Sequence, residues 1–485
     1  MKMSKNEISI EEEVKINNDP KVDTDTVGLR IDLFKKIPFL KRIARMRSFQ
    51  FAVMLPGLAL FILFIAAGLF GNPSGSQNII IVFVWILWWF LLIVGLVPFL
   101  SRIWCLVCPF PGVGEWLQRK SFARANTGKL FGLNKKWPGK LRNIWIQNFG
   151  FLLMAIFSSY LVTRPIASVI ALGGIIILSV VIMLIYQKRA FCVYICPVGG
   201  FLGLYSMAST LELRVKSRDI CKGHKTKECI TGSESGYGCP WFQYPGNMER
   251  NNYCGLCMEC VKTCPKDNIA LNFRPFASDT KMKGLDEAWK AFIMMTLAAV
   301  YSIFLLGPWG FLKDWANPTM SGKWGGFTIY AVILVSACLV IIPAIYGFFV
   351  VLAKFLSKAA NVNFKTLFIR FSYVLVPMGL MSWIAFSLSL VMVNYSYIIT
   401  IISDPFGWGW NLFHTKYFHW APFHPELLPY LQVFVLLVGM VISIFKGFEV
   451  AKDIFKEKDK AIRSMIPIAG FLVLITIVMI MLFAG

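Results

Sequence analysis

The segment Tyr253–Ile269 reads YCGLCMECVKTCPKDNI, and the interpretation of the whole chain starts from it. Its four cysteines are separated by two, two and three residues, and a proline follows the last of them. Thiolates at this spacing converge on one inorganic centre when the backbone wraps around it, and the proline turns the chain away. The segment therefore predicts one cysteine-bound centre, with four candidate ligands: Cys254, Cys257, Cys260 and Cys264.

The spacing distinguishes between three kinds of cysteine site. The run Cys-x2-Cys-x2-Cys-x3-Cys-Pro holds [4Fe–4S] clusters in bacterial ferredoxins. A structural zinc site usually takes two Cys-x2-Cys pairs that lie well apart in the sequence. A disulfide framework is less compatible with this segment, because adjacent Cys-x2-Cys cysteines in a lysine-rich loop suit a reducing compartment. We therefore expect a [4Fe–4S] cluster in this segment.

A second set of cysteines precedes this run, and its last member is followed by a proline. In two-cluster ferredoxins the fourth cysteine of each run binds the cluster of the other run. This exchange predicts one cluster on four cysteines: Cys239, Cys254, Cys257 and Cys260. It leaves three cysteines for a second cluster: Cys221, Cys229 and Cys264.

The second cluster would be one thiolate short, and the sequence leaves three outcomes open. His224 can supply the missing ligand, or the cluster can contain three irons. Alternatively, no second cluster forms, and Cys221 and Cys229 are free thiols of an elongated loop. The region is therefore expected to carry one or two [4Fe–4S] clusters.

Two further cysteine pairs lie where apolar segments end. Cys105 and Cys108 follow one such segment, Cys192 and Cys196 follow another, and a proline comes directly after each pair. Cations flank both pairs and would stabilise thiolates; they are Arg102, Lys188 and Arg189. Because two pairs from two helices can make one four-thiolate site, we predict a shared iron–sulfur, metal or redox site at the membrane edge. The alternative is a structural dithiol in each pair.

The composition indicates an integral membrane protein. Of the 485 residues, 57% are hydrophobic and only 15% are charged, whereas soluble domains contain about 25% charged residues. A net charge of +23 would suggest nucleic acid as the partner of a soluble protein. Here the Lys and Arg residues lie mainly in loops, where they set membrane topology. We expect the lipid bilayer, and no nucleic acid, as the partner.

Apolar stretches long enough to cross a bilayer recur along the chain. We predict an α-helical polytopic membrane protein with about nine transmembrane helices: 49–70, 78–100, 145–163, 166–186, 288–308, 327–352, 367–393, 428–446 and 464–484. Loop 101–144 carries nine Lys and Arg, whereas the four segments assigned to the other face carry four in all: 71–77, 164–165, 309–326 and 394–427. By the positive-inside rule, the N-terminus and the insert 187–287 are cytoplasmic.

These assignments divide the chain into four parts in the inner (cytoplasmic) membrane. The parts are a cytoplasmic N-terminal tail, 1–48; a first bundle of four helices, 49–186, with the cytoplasmic loop 101–144; a small cytoplasmic 4Fe-4S ferredoxin-like α+β insert, 187–287; and a second bundle of about five helices, 288–485.

The cysteine motifs together resemble the polytopic ferredoxin-type membrane proteins of the nitrate-reductase and nitrous-oxide-reductase systems, the NapH/NosR-like quinol dehydrogenase subunits. The segment Cys192–Pro197 fits that family's Cys-x3-Cys-Pro form, and Cys105–Pro109 is one residue shorter. The iron–sulfur accessory proteins of cbb3-type oxidase assembly are similar in arrangement. The resemblance covers about residues 49–290.

The resemblance implies electron transfer between the quinone pool of a respiratory chain and a partner redox protein, such as a reductase or a cytochrome. The protein would then be an electron-transfer subunit of an oxidoreductase complex. The alternative is an accessory protein that reduces a metal for the cofactor of another respiratory enzyme. Residues 291–485 lie outside the resemblance.

Overall fold

The structure is a computed structural model, and it describes residues 30–120, 131–306, 310–358 and 361–484. The first part of the predicted tail, residues 1–29, lies outside the described residues. Helices make up most of the described chain, and strands are confined to three short segments.

Eight described helices are long and apolar enough to cross a membrane. They are Phe49–Phe70, Ile79–Leu100, Pro165–Ile185, Leu285–Phe304, Trp324–Leu356, Phe364–Ser403, Pro425–Phe455 and Lys458–Phe483. A helix satisfies its backbone N–H and C=O groups internally, which is what hydrocarbon surroundings require. The prediction of a helical, multi-pass membrane protein is confirmed for these eight segments.

The predicted third span, 145–163, differs from the others in form. It consists of two short helices, Trp145–Ile156 and Ser158–Leu161, with a break at Phe157 (φ −92°, ψ 9°). Ser and Thr side chains that bond to nearby carbonyls compete with regular helix geometry. Here the Thr163 hydroxyl donates to the Ser159 carbonyl at 2.8 Å. The prediction of one continuous third helix is therefore wrong.

The contacts of this broken segment show that it still connects the two ends of the bundle. Near its start, Gln147 Nε2 donates to the Cys192 and Val193 carbonyls at 3.2 and 2.8 Å. At its end, Thr163 lies just before the start of the 21-residue helix Pro165–Ile185. Cys192 lies beyond the other end of that helix. Because 21 residues of helix span about 30 Å, residues 145–163 return across the thickness of the bundle.

The loops that the charge pattern assigned to one face lie together at one end of the bundle, here called the opposite end. The Asn72 N–H donates to the Phe406 carbonyl at 2.7 Å, and Trp408 Nε1 donates to the Phe70 carbonyl at 3.1 Å. Asn317 Nδ2 contacts Thr163 Oγ1 at 3.2 Å. The cysteines of the predicted sites lie at the other end, here called the cysteine end. The side of the membrane that each end faces stays a prediction.

The insert contains a three-stranded antiparallel sheet in the order β1-β3-β2, with β1 at Ile31–Asp32, β2 at Leu211–Val215 and β3 at Ile269–Phe273. Its helices are short: Arg218–Gly223, Glu228–Thr231 and Glu259–Thr263. Strand β1 belongs to the predicted N-terminal tail and pairs with the edge of β3 that β2 leaves open. The helices Leu33–Lys36 and Pro38–Arg45 follow it. The described part of the tail is therefore attached to the insert.

Candidate iron–sulfur sites

Each membrane-edge cysteine pair lies at the junction of two short helices. Cys108 separates Trp104–Val107 from Pro109–Arg119, and Cys196 directly precedes Pro197–Ser206. Proline is favourable at the first position of a helix because its missing N–H would have no intrahelical partner there. The Cys196 thiol also caps its helix, since it accepts a hydrogen bond from the Gly199 N–H at 3.2 Å. The Cys-Pro motif thus fixes each pair at a helix start.

The two pairs line one common pocket at the cysteine end. All four thiol residues in its wall are buried: Cys105, Cys108, Cys192 and Cys196. The rest of the wall is mainly aromatic and aliphatic, with Trp104, Phe110, Phe191, Leu202 and Trp241. The four cysteines, here called the membrane-edge group, are thus brought together. Cluster binding by them stays a prediction.

Electrostatics also show that these sulfurs lie close to one another. Burial raises the pKa of the Cys108 thiol well above its ordinary value, and Cys105 and Cys196 raise it further. Burial and the neighbouring thiols likewise raise the pKa of Cys192, whereas the positive charge of Arg189 lowers it. Four uncompensated thiolates would be unfavourable here, whereas a bound metal centre supplies the positive charge that deprotonates its ligands. The donor set therefore fits an iron–sulfur cluster.

The four cysteines predicted to share one cluster through the exchange also lie close together. They are here called the first insert group: Cys239, Cys254, Cys257 and Cys260. Burial raises the pKa of Cys260 well above its ordinary value, and Cys257, Cys239 and Cys254 add to this effect. The loop that carries them is wrapped tightly, because Leu256 and Met258 adopt left-handed backbone angles (φ 49° and 62°). Bulky side chains adopt such angles only where the surroundings impose them. The loop is therefore tightly wound, as the predicted centre requires, and cluster binding by it stays a prediction.

The remaining three cysteines form a group closer to the surface. They are here called the second insert group: Cys221, Cys229 and Cys264. Burial raises the pKa of Cys229 to about 12, with further contributions from Cys221 and Cys264. Cys221 and Cys264 are only half-buried. The division of the seven cysteines from Cys221 to Cys264 into sets of four and three, each binding its own cluster, stays a prediction.

His224 does not face the sulfurs of the second insert group. Its Nε2 lies 3.0 Å from Glu228 Oε2 and 3.1 Å from Thr226 Oγ1. Instead, Asn268 contacts two of the three cysteines. Its Nδ2 donates to Cys221 Sγ at 3.2 Å, and its backbone N–H donates to Cys264 Sγ at 3.4 Å. Sequence reasoning missed Asn268.

The groups do not have the geometry of a mononuclear site. Within the described part of the chain, no three His, Cys, Asp or Glu side chains converge as ligands of a single metal ion. Cysteines around a [4Fe–4S] cluster lie further apart, because irons and sulfides separate them.

Arg189 lies between the membrane-edge group and the insert. It is fully buried, its Nη1 donates to the Cys105 carbonyl at 2.9 Å, and its Nε donates to Glu115 Oε2 at 3.0 Å. Its backbone N–H donates to the Pro240 carbonyl at 3.2 Å. The prediction of Lys188 as a second cation for the membrane-edge pair is wrong, because its Nζ donates to the Ile230 and Cys239 carbonyls of the insert.

Sequence reasoning also missed Lys290, which lies fully buried in the helix Leu285–Phe304. Its Nζ donates to Gln147 Oε1 at 3.0 Å, and the Gln147 amide bonds to the Cys192 carbonyl. A lysine within a membrane span is by default a functional-site candidate. That rule would have found Lys290 from its place in an apolar stretch.

Comparison with known proteins supports this description. A family model described as a 4Fe-4S binding domain matches residues 81–138 and 169–216. These two ranges contain all four cysteines of the membrane-edge group, and they end before the run that starts at Cys254. The matched ranges contain none of the cysteines from Cys221 to Cys264, so this match concerns the membrane edge.

Three relatives share part of the chain. The uncharacterized protein MJ0749 of Methanocaldococcus jannaschii is 26% identical over 262 residues, which cover 53% of this chain and 95% of that protein. The uncharacterized protein MJ0750 of the same organism is 23% identical over 193 residues, covering 37% and 76%. The putative electron transport protein YccM of Escherichia coli is 25% identical over 155 residues, covering 30% and 39%.

No solved structure gives a significant match to the chain. The family match and the similarity to YccM nevertheless agree with the cysteine motifs and the helical architecture. They confirm the resemblance that the sequence indicated: the chain contains a 4Fe-4S binding domain and is similar to membrane-bound iron–sulfur electron-transfer proteins.

Proposed function

We propose that the protein transfers electrons between the membrane quinone pool and a partner redox protein through centres held by its three cysteine groups. The observation that carries the proposal is the order of these groups. The membrane-edge group lies at the ends of two spans, and the first insert group adjoins it through Arg189. The second insert group includes the half-buried Cys221 and Cys264.

An iron–sulfur cluster supplies reversible one-electron chemistry, and the protein sets its position and potential. The chain contributes an apolar wall that excludes water from the membrane-edge group. Arg102 and Arg189 offset the negative charge of its thiolates. The half-buried edge of the second insert group offers the shortest approach for a water-soluble partner.

The proposal includes an orientation, with the cysteine end in the cytoplasm and the opposite end outside. The asymmetry of Lys and Arg between the two sets of loops supports it. Protease-cleavable tags inserted at Lys225 and at Thr415 provide the test in right-side-out and inverted vesicles. We expect cleavage at 225 only in inverted vesicles and at 415 only in right-side-out vesicles; the reverse pattern would contradict the orientation.

The function is tested on the purified full-length protein. We expect at least about four irons and four sulfides per chain, as one [4Fe–4S] cluster requires, and an EPR signal that appears on addition of a short-chain quinol. Stoichiometric zinc without sulfide would contradict the presence of clusters. Clusters that dithionite reduces but quinol does not would remove the quinone pool from the proposal.

A further inference from the structure

Trp241 lies between the membrane-edge group and the first insert group. Its side chain is buried, with 2% of its surface exposed, and it forms part of the wall of the membrane-edge pocket. In the sequence it follows Cys239, a member of the first insert group, by two residues. One aromatic ring therefore borders both groups.

The opposite side of the ring packs against the loop of the first insert group. Gly255 lies between Cys254 and Cys257, and a Cβ atom at this position would be 2.1 Å from Cε2 of Trp241 and 2.2 Å from its Nε1. Real Cβ atoms do not approach other atoms so closely. The glycine therefore allows the backbone of the cluster-binding loop to touch the indole.

Arg102 holds the ring in this place. Its guanidinium lies 4.4 Å from the centroid of the Trp241 ring, a cation–π contact, and its Nη1 donates to the Asn252 carbonyl. Burial raises the pKa of both Cys196 and Cys254, and the charge of Arg102 opposes this at each thiol. The same cation thus acts on one cysteine of each group.

The indole N–H has no described acceptor. Trp241 Nε1 is buried and has no hydrogen-bond partner among the described residues. Buried donors in native proteins are nearly always satisfied, so an orphaned one needs an explanation. Nε1 lies beside Gly255, which belongs to the loop of the first insert group. Sulfur of a bound cluster is an acceptor of the right kind.

We propose that Trp241 couples the two groups: its ring bridges the gap between them, and its indole N–H donates a hydrogen bond to sulfur at the first insert group. This inference rests on the proposed function. In each transfer one site is oxidised by one electron and the other is reduced by one, while no bond and no proton moves. A quinol is the reductant: its oxidation to quinone releases two protons to water and two electrons, which pass in two successive transfers, and the partner redox protein is the oxidant.

The test uses the iron-loaded full-length protein and two substitutions, Trp241→Leu and Trp241→Phe. Leucine removes the aromatic ring from the gap, so electron exchange between the two groups should be slower than in the natural protein. Phenylalanine keeps an aromatic ring but lacks the N–H, so the midpoint potential of the first insert group should fall. Freeze-quench EPR and redox titration measure the two effects.

Trp137→Leu is the matched control. Trp137 is also a buried tryptophan at the cysteine end, but it stacks on Tyr194 and donates to the Leu141 carbonyl at 2.8 Å. It should change neither the rate nor the potential. Gly255→Ala provides a second route, since its methyl group displaces the indole while Trp241 itself is retained, and it should slow the exchange as well.

The outcomes separate this inference from the function on which it rests. If the natural protein accepts no electrons from quinol, the proposed function fails. If the natural protein transfers electrons and Trp241→Leu does so at the same rate, with unchanged iron and sulfide contents, the coupling role alone is overturned. An unchanged midpoint potential in Trp241→Phe overturns the hydrogen bond to sulfur.

Discussion

The membrane-edge group and the second insert group use the same side chain in contrasting surroundings. All four thiol residues of the membrane-edge group are buried in an apolar pocket with two arginines nearby. The second insert group has three thiols, two of them half-buried, and an amide from Asn268 that donates to sulfur. Burial, charge and hydrogen bonding to sulfur are the factors that set the potential of iron–sulfur centres.

Under the proposed function, this difference would allow one chain to serve two kinds of redox partner. A buried, water-free group at the ends of spans suits exchange with a lipid-soluble molecule. A group near the surface suits a protein that docks from water. The two environments are expected to give distinct potentials, and substitutions at three places test the contrast in order of decreasing effect.

The largest effect is expected from the membrane-edge cysteines. If these residues share one site, Cys105→Ala and Cys192→Ala should each abolish quinol-linked reduction of the first insert group, and the double variant should lose no more. Residues that work as one unit are strongly non-additive in this way. The measurement is the EPR signal after quinol addition in both single variants and the double variant.

Cys338→Ala is the control for the cysteine substitutions, because Cys338 is also fully buried but lies in the helical segment Ala337–Ile341, away from the cysteine end. It should retain full reduction. Small and additive effects of the two membrane-edge variants would indicate independent structural dithiols. The membrane-edge group and the second insert group would then differ only in how deeply their thiols are buried.

A smaller effect is expected from Arg189→Met, which removes the cation between the membrane-edge group and the insert. Its loss leaves the buried Glu115 with the Arg119 ion pair and the hydrogen bond from Gln50, and breaking a buried ion pair costs about 3–5 kcal/mol. Unfolding in detergent, followed by circular dichroism, measures the loss. The double variant with Glu115→Gln should recover part of it, since no unpaired carboxylate remains; unchanged stability of Arg189→Met would contradict the expectation.

The same pair predicts a dependence on pH. Burial raises the pKa of Glu115, but the charges of Arg119 and Arg189 outweigh this effect and hold the pKa below its ordinary value. A lowered carboxyl pKa contributes stability that is complete above the ordinary value of about 4.3 and is lost as the pH falls through the lowered value. In Arg189→Met the folded-state pKa of Glu115 moves up, so this loss should be smaller and should be complete at a higher pH.

The smallest effect is expected at the second insert group. Asn268→Ala removes the Nδ2 donor to Cys221 Sγ, so the midpoint potential of this group should fall while its iron content is unchanged. His224→Ala serves as the comparison and should change neither quantity, since His224 faces Glu228 and Thr226. Loss of iron in His224→Ala would instead identify the histidine as the fourth ligand.

The sequence alone was sufficient for features that depend on short spacings or on the lengths of apolar segments. The proximity of Cys239 to Cys254, Cys257 and Cys260 followed from ferredoxin spacing and an exchanged ligand. The helical, multi-pass fold followed from apolar stretches that match the bilayer thickness. The grouping of the loops into two ends followed from Lys and Arg counts. Each of these is a local property that can be read along the chain.

Tertiary structure decided the features that depend on contacts between distant segments. The break at Phe157, the pairing of Ile31 with Phe273 and the direction of Lys188 all depend on neighbours that no local pattern specifies. The same holds for the indole of Trp241 against Gly255. Spacing and hydropathy predict which residues can form a site, whereas packing between segments determines what lies between two sites, and therefore how they communicate.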